Sequence, residues 1–241
     1  MKKIVVLTGA GMSAESGLRT FRDADGLWEG HDVMEVASPE GWNSNKELVL
    51  DFYNERRRQL LSANPNKAHL NLVSLEKEYE INIITQNVDD LHERAGSSHV
   101  LHLHGELLKV RSSRNENLVY ECSSDIKIGD LAEDGHQLRP DIVWFGEAVP
   151  MLVKAIEITK SSDILVIIGT SMQVYPAASL IHYIKNTIPI FFIDPNPNIS
   201  TTDYDNLTII SEKAPTQHVP NPKDSAVRSM FCIAAATPCT P

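Results

Sequence analysis

Six short runs rich in isoleucine and valine constrain this chain more than any other feature: Ile4 to Leu7, Ile81 to Thr85, Ile142 to Phe145, Ile164 to Gly169, Ile188 to Ile193 and Leu207 to Ile210. Their apolar residues fall on successive positions rather than alternate ones. A strand of that kind is buried on both faces, as in a sheet covered by helices on either side. Segments with helical spacing occupy several of the intervals: Glu47 to Leu61, Lys67 to Glu78, Met151 to Ser161 and Ala177 to Asn186. Strand and helix in alternation predict an α/β fold with a mainly parallel sheet, because parallel neighbours require a crossover connection.

Two stretches break the rhythm. About Asp23 to Leu61 the chain is helical and loop-like, and about Glu106 to Arg139 it is polar, richer in Ser, Asn, Asp and Gly, and without a clear period. Together they predict a smaller domain against the sheet. On this reading residues 1–32, 62–104 and 141–213 form the sheet-bearing domain, and 33–61 with 105–140 form the small one. From Ala214 onward five prolines, two of the three cysteines and no amphipathic period predict an irregular tail, residues 214–241.

The bulk properties exclude several classes. The apolar runs are far shorter than the roughly 20 residues of a membrane-spanning helix, so no span is expected. Met1-Lys2-Lys3 before an apolar stretch has the outline of a signal peptide, but only four strongly apolar residues precede Thr8. Cys122, Cys232 and Cys239 form no CxxC pair, which fits a reducing cytoplasm. With a formal net charge of −10 and no basic tract, neither nucleic acid nor an anionic membrane is expected as a partner, and cationic, lysine-rich protein segments meet less repulsion.

Gly9-Ala10-Gly11-Met12-Ser13-Ala14 follows the first strand and fits the loose G-x-G-x-x-A form of a dinucleotide-binding turn. Glycines let backbone N–H groups approach a pyrophosphate, and a helix N-terminus after them favours its charge. The motif alone also fits a tight turn with no ligand. It completes the expectation of a Rossmann-like domain. A hydride-transferring dehydrogenase would place a second strand and an acidic residue about 20 positions on. Here Thr20 to Trp28 is no strand, so a bound dinucleotide is expected to be covered by a loop and used differently.

Five separated segments carry a family resemblance: Gly9 to Gly17 with Phe21-Arg22, Thr85-Gln86-Asn87-Val88-Asp89, His102-Leu103-His104-Gly105, Val143-Trp144-Phe145-Gly146-Glu147, and Gly169-Thr170-Ser171. Across about Lys3 to Asp194 the chain resembles the sirtuin family. The resemblance implies an enzyme that consumes NAD, cleaving its nicotinamide bond and moving an acyl group from lysine to ADP-ribose. It implies that Gly9, Ala10, Gly11 and Ser13, with Ala14, cradle phosphates, and that Thr20, Phe21 and Arg22 belong to the loop closing over the nicotinamide ribose. Gln86, Asn87 and Asp89 match the segment that orients that ribose and the nicotinamide amide, with Asn87 also close to the chemistry. Gly169, Thr170 and Ser171 match a second phosphate and ribose contact, Asp194 falls near the adenosine, and Ala214 near the adenine. The acyl oxygen is a poor nucleophile, so positioning matters, and a ribose hydroxyl must then lose a proton. A neutral imidazole suits that task, and the resemblance places it immediately before the glycine, at His104 rather than His102. His92 is expected to shape the Asp89 turn.

Tyr53 and Arg56 lie three apart in a helical stretch and so share a face. Arg56 offers a planar fork for a carboxylate and Tyr53 a further donor. The pair resembles that of the sirtuin class that removes succinyl and malonyl groups, which implies acetyl-lysine as a weaker substrate. Arg57 and Arg58 fit a solvated helix face. Val143, Phe145 and Gly146 are expected to meet the substrate backbone as an added strand. Most sirtuins carry four zinc cysteines, whereas Val110-Arg111-Ser112-Ser113-Arg114 supplies none and Cys122 stands alone, so no zinc is expected. A mono-ADP-ribosyltransferase on the same NAD site, or a non-catalytic NAD-binding module, is the alternative.

Overall fold

A computed structural model describes residues 1–18, 27–195, 197 and 199–211. In chain order its elements are β1 (Lys3–Thr8), β2 (Leu27–Trp28), β3 (His31–Asp32), α1 (Val33–Val36), α2 (Pro39–Ser44), α3 (Lys46–Ser62), α4 (Lys67–Leu75), β4 (Glu80–Thr85), α5 (Leu91–Ala95), β5 (Val100–His102), β6 (Gly105–Ser112), β7 (Val119–Glu121), β8 (Leu138–Ile142), α6 (Leu152–Lys160), β9 (Ile164–Ile168), β10 (Ile190–Ile193) and β11 (Leu207–Ile210). Single-turn 3-10 helices cover Ala10–Met12 and Ala14–Ser16, and a longer one covers Ala177–Tyr183.

The main sheet has six parallel strands in the order β11-β10-β9-β1-β4-β5. Its central strands β1, β9 and β10 are buried on both faces, as their apolar runs require, while the edge strands β5 and β11 are only partly buried. Ile4 and Val6 join Ile81, Ile83, Ile164 and Val166 in one core beneath α4, while Val5 and Leu7 join Ile84, Leu165 and Ile167 in another beneath α6. Each such side chain contributes about 1.5–3 kcal/mol by leaving water. The chain builds outward from β1 to β4 and β5, then returns to β1's other side with β9. That reversal between β1 and β9 is where an open α/β sheet leaves a crevice beyond its carboxyl ends.

A third core joins α1 to α3 with the antiparallel sheet β7-β6-β8 through Trp42, Leu50, Phe52, Tyr53, Leu107, Ile142 and Trp144. Capping fixes these short helices: Ser38 accepts from Gly41 N at 3.0 Å ahead of Pro39, and Asn45 accepts from Leu48 N at 3.0 Å.

The structure revises several expectations. The stretch from Glu106 to Arg139, which shows no period, contains β6, β7 and the start of β8; a register shift between Glu106 and Val110 breaks the alternation. The run from Ile142 to Phe145 is not a strand of the parallel sheet, since β8 ends at Ile142 and belongs to the small sheet. Helical spacing from Ala177 to Asn186 gives a 3-10 helix ending at Tyr183. Arg57 is not solvated: it is 1% exposed, donating Nε to Leu107 O at 3.2 Å and Nη1 to Asn54 Oδ1 at 2.8 Å, so it fastens α3 to β6. Arg58 is exposed, paired with Asp125 at 2.6 Å.

Candidate active site

The residues singled out in the sequence gather at the carboxyl edge of the parallel sheet because they directly follow its strands. Gly9 follows β1, Gln86 follows β4, His104 lies two residues past β5, Gly169 follows β9 and Asp194 follows β10. The first and fourth of these loops interlock. Gly9 N donates to Ile168 O at 3.0 Å and Gly11 N to Gly169 O at 2.9 Å. A Cβ on Gly11 would lie 2.7 Å from Gly169 Cα, so glycine is required there for two backbones to meet.

This changes how the loop can hold a pyrophosphate. The amides of Gly9 and Gly11 are committed to the other loop, and the turns after them are single 3-10 turns rather than the start of a long helix. A macrodipole is therefore not the attraction among the described residues. The amides of Ala10, Ala14, Thr170 and Ser171 have no acceptor among the described residues, and Ala10 and Ala14 are exposed. Unspent donors on both sides of the crevice fit a dinucleotide's phosphates.

Ser13 is buried, and its hydroxyl donates to Asp89 Oδ2 at 2.8 Å while accepting from Asn87 Nδ2 at 3.1 Å. Its hydroxyl thus joins the first loop to the segment after β4 instead of facing a phosphate. Asp89 also accepts from Leu91 N at 3.1 Å. Burial raises its pKa, against the lowering effect of the Ser13 hydrogen bond. Gln86 Nε2 donates to Thr170 Oγ1 at 3.0 Å, bridging β4 and β9 across β1. Asp194 is buried at the end of β10. Beneath the loop, Thr8 Oγ1 contacts Thr85 Oγ1 at 2.9 Å and His92 Nε2 at 3.2 Å, and the His92 ring meets His69 at 4.8 Å. His92 is therefore a buried support of the sheet edge. Burial lowers its pKa to about 3 and that of His69 to about 4.

The two histidines after β5 have different partners. His104 Nδ1 lies 3.1 Å from Gln86 O, so the ring carries its hydrogen there and Nε2 keeps its lone pair, with no partner among the described residues. Burial lowers its pKa, outweighing the Gln86 carbonyl. His102 Nδ1 faces Asn87 O at 3.1 Å, but its Nε2 is bound to Glu93 at 2.8 Å. Burial would lower its pKa, yet Glu93 raises it overall. Gly105 has φ +82, and a Cβ there would strike Asp141 O; glycine at this position lets β6 start against β8 immediately after His104.

On the small-domain side, Tyr53 is wholly buried and its hydroxyl accepts from Trp144 Nε1 at 3.0 Å. Arg56 is 8% exposed; Nε reaches Gln59 at 3.2 Å, Nη2 reaches Glu55 at 2.9 Å, and Nη1 is buried without a partner among the described residues. The Val143 and Phe145 amides donate to His104 O and Ala37 O, both at 2.9 Å. They are spent within the chain, while the exposed Gly146 amide has no acceptor among the described residues.

The sequence pattern of the Sir2 family matches residues 9–176. The chain belongs to the Sir2 family. A Helicobacter pylori protein named NAD-dependent protein deacylase is 66% identical over 195 residues, covering 81% of this chain and 85% of its own. Among solved structures, a Sir2 homologue mutant in complex with ADP-ribose is 42% identical with a TM-score of 0.78, covering 86% of this chain and 85% of that one. A Sir2 homologue in complex with NAD is 41% identical with a TM-score of 0.78, covering 86% and 83%.

Within this Sir2-family site, Thr20, Phe21, Arg22 and Ala214 lie outside the described residues. Residues to which the sequence assigned no role include Arg139, Asn54 and Glu147, the last quoted only as part of a motif. Glu147 receives Arg139 Nη1 at 2.7 Å and Trp144 N at 2.9 Å. Asn54 holds Ile126 through both its N–H and C=O, at 2.9 and 2.8 Å. The i, i+3 spacing of Asn54 and Arg57 was the one available signal. Where most sirtuins resemble one another in zinc cysteines, Ser112 donates to Asp134 Oδ2 at 2.6 Å and accepts from Arg114 N at 3.1 Å, closing the turn after β6 with hydrogen bonds. Among the described residues there is no group of three or more side chains suited to a metal.

Proposed function

We propose that this chain is an NAD-dependent protein-lysine deacylase that favours acyl groups ending in a carboxylate, succinyl and malonyl ahead of acetyl. The observation that carries the preference is Arg56: a guanidinium nine-tenths buried, with Nη1 lacking a hydrogen-bond partner among the described residues. A buried donor left unpaired costs about 1–3 kcal/mol, and a carboxylate is the group that would satisfy it. Tyr53, one turn earlier on α3, accepts from Trp144 and keeps its own O–H available for the same anion.

NAD, when bound, would supply a sugar carbon activated by the departure of nicotinamide, and with one water consumed the products would be nicotinamide, O-acyl-ADP-ribose and free lysine. The amides of Ala10, Ala14, Thr170 and Ser171 would hold its phosphates, with Gly9, Gly11 and Gly169 setting the backbone that presents them. Gln86, Asn87 and Asp89 would orient the nicotinamide ribose, Ser13 acting on them from behind, and Asp194 would lie toward the adenosine. His104 accepts a ribose proton at Nε2: Gln86 O fixes its tautomer, and its lowered pKa keeps it neutral near physiological pH. The peptide would run past Val143, Phe145 and Gly146, whose remaining main-chain groups tolerate many sequences. Acyl-lysine proteins are the substrates, and the cytoplasm, suggested by the cysteine usage, is the setting.

The test is to incubate the protein with NAD and matched succinyl-, malonyl- and acetyl-lysine peptides, following nicotinamide release and peptide mass. Faster succinyl and malonyl removal is expected. A higher kcat/KM for acetyl overturns the preference, ADP-ribosylated protein favours a transferase, and NAD binding without turnover favours a binding module.

A further inference from the structure

Trp144 is buried at 2% exposure, between α3 and the small sheet. Filling space there would need only an aromatic ring, yet the indole also donates Nε1–H to the Tyr53 hydroxyl at 3.0 Å. A phenol oxygen that accepts a hydrogen bond directs its own O–H elsewhere. No acceptor for that hydrogen exists among the described residues. Burial raises the pKa of Tyr53, so the hydroxyl stays protonated and remains a donor.

The indole is itself immobilised. The guanidinium carbon of Arg139 lies 3.3 Å from its ring centroid, and the Trp42 ring packs at 5.7 Å. Glu147 ties the arrangement together: it accepts Trp144 N at 2.9 Å and receives Arg139 Nη1 at 2.7 Å and Nη2 at 3.1 Å. Arg139 Nη2 also donates to Ile142 O at 2.9 Å, which fixes the guanidinium to the end of β8. Each contact removes a degree of freedom from the donor that faces Tyr53.

We propose that Trp144, clamped by Arg139 and Glu147, is a positioning residue for acyl selectivity: its indole N–H occupies the acceptor side of the Tyr53 oxygen and so turns the phenol hydrogen toward the carboxylate of the acyl group. This rests on the reading of Tyr53 and Arg56 as a carboxylate pair. Acetyl-lysine presents no such carboxylate, so the effect belongs to succinyl and malonyl substrates alone. A hydroxyl free to rotate would have to be ordered on binding, which weakens affinity rather than chemistry.

The experiment is a double-mutant cycle in the intact enzyme with W144F, Y53F and the double variant, measuring kcat and KM for succinyl and acetyl peptides. W144F is expected to lower the succinyl-to-acetyl ratio of kcat/KM roughly five-fold, through KM for succinyl peptide, and to have no further effect on the ratio once Y53F is present. E147Q keeps the indole and is expected to move the ratio in the same direction, which preserves the test if W144F does not fold. Equal losses on both substrates, a change in kcat alone, or an effect of W144F that persists in Y53F overturns the proposal. A wild-type enzyme without succinyl preference overturns the carboxylate pair and this proposal together, and is distinguished by the wild type itself lacking the ratio.

Discussion

Acidification should destabilise this protein through two buried histidines. His69 and His92 meet edge to face at 4.8 Å beneath the loop of residues 9–14, both at 0% exposure, with His69 Nε2 and His92 Nδ1 lacking a hydrogen-bond partner among the described residues. Burial holds their folded-state pKa values at about 4 and about 3. In the unfolded chain each returns to about 6.5. The stability they confer is therefore intact above about pH 6.5 and is lost as pH falls, because the unfolded chain takes up protons that the folded one refuses. Between about pH 7 and about pH 5 each ring accounts for about 2 kcal/mol, a figure set by the unfolded pKa because both folded values lie below that window. For a fold whose net stability is about 5–15 kcal/mol, that is a substantial fraction. His102 and Asp89, whose pKa values are raised, act in the opposite sense, so the variant comparison is the clean measurement. His92→Gln retains an N–H for Thr8 and removes one titration. Urea unfolding at both pH values should show a loss on acidification smaller by about 2 kcal/mol in the variant than in wild type. Equal losses in the two proteins would refute the reasoning.

Three further outcomes follow from the site. Arg56→Leu should lower kcat/KM for succinyl peptide about 10- to 100-fold and leave acetyl turnover largely unchanged, since hydrogen bonds to a charged group contribute about 1.5–3 kcal/mol. His104→Ala should abolish turnover while NAD binding, measured by calorimetry, persists; in wild type the acid limb of kcat/KM should lie below the ordinary histidine range, because activity is lost only when the burial-lowered imidazole is protonated. Gly11→Ala places a Cβ 2.7 Å from Gly169 Cα and should cost about 1–3 kcal/mol of stability with a large loss of NAD affinity, seen by thermal melting with and without NAD.

Five of the six parallel strands were legible because their signal is composition over a short window, clearest in β1 and β9 with their runs of Ile, Val and Leu, whereas β5, only three residues long, carries no such run. The small sheet was not, because β6 is half exposed, bulged and edged by a short β7, so neither a two-residue nor a 3.6-residue period survives. Around the candidate site, the segments that hold His104, Asn87 and the glycines could be marked in the sequence, and they do lie at strand ends, but what they touch could not be read. Ser13 illustrates the gap: its type suits a phosphate, and only the return of the chain after β4 shows the hydroxyl committed to Asp89. Arg57 fails for a related reason. A run of three arginines reads as solvated, and the Leu107 carbonyl that buries the middle one lies 50 residues away.

The place of β1 at the middle of the sheet has a consequence for biosynthesis. Strand β1 leaves the ribosome ahead of both its neighbours, meeting one 77 residues later, at Thr85, and the other 160 residues later, where Asp163 reaches Lys3. Until β9 has emerged, an apolar segment waits with one hydrogen-bonding edge unfilled, and such delayed, non-local pairing folds slowly and exposes the nascent chain to aggregation. Because Gly9 and Gly11 find their partners only at Ile168 and Gly169, the crevice we propose for the dinucleotide is absent from every shorter intermediate, and NAD bound there would stabilise the product of folding but not its early steps.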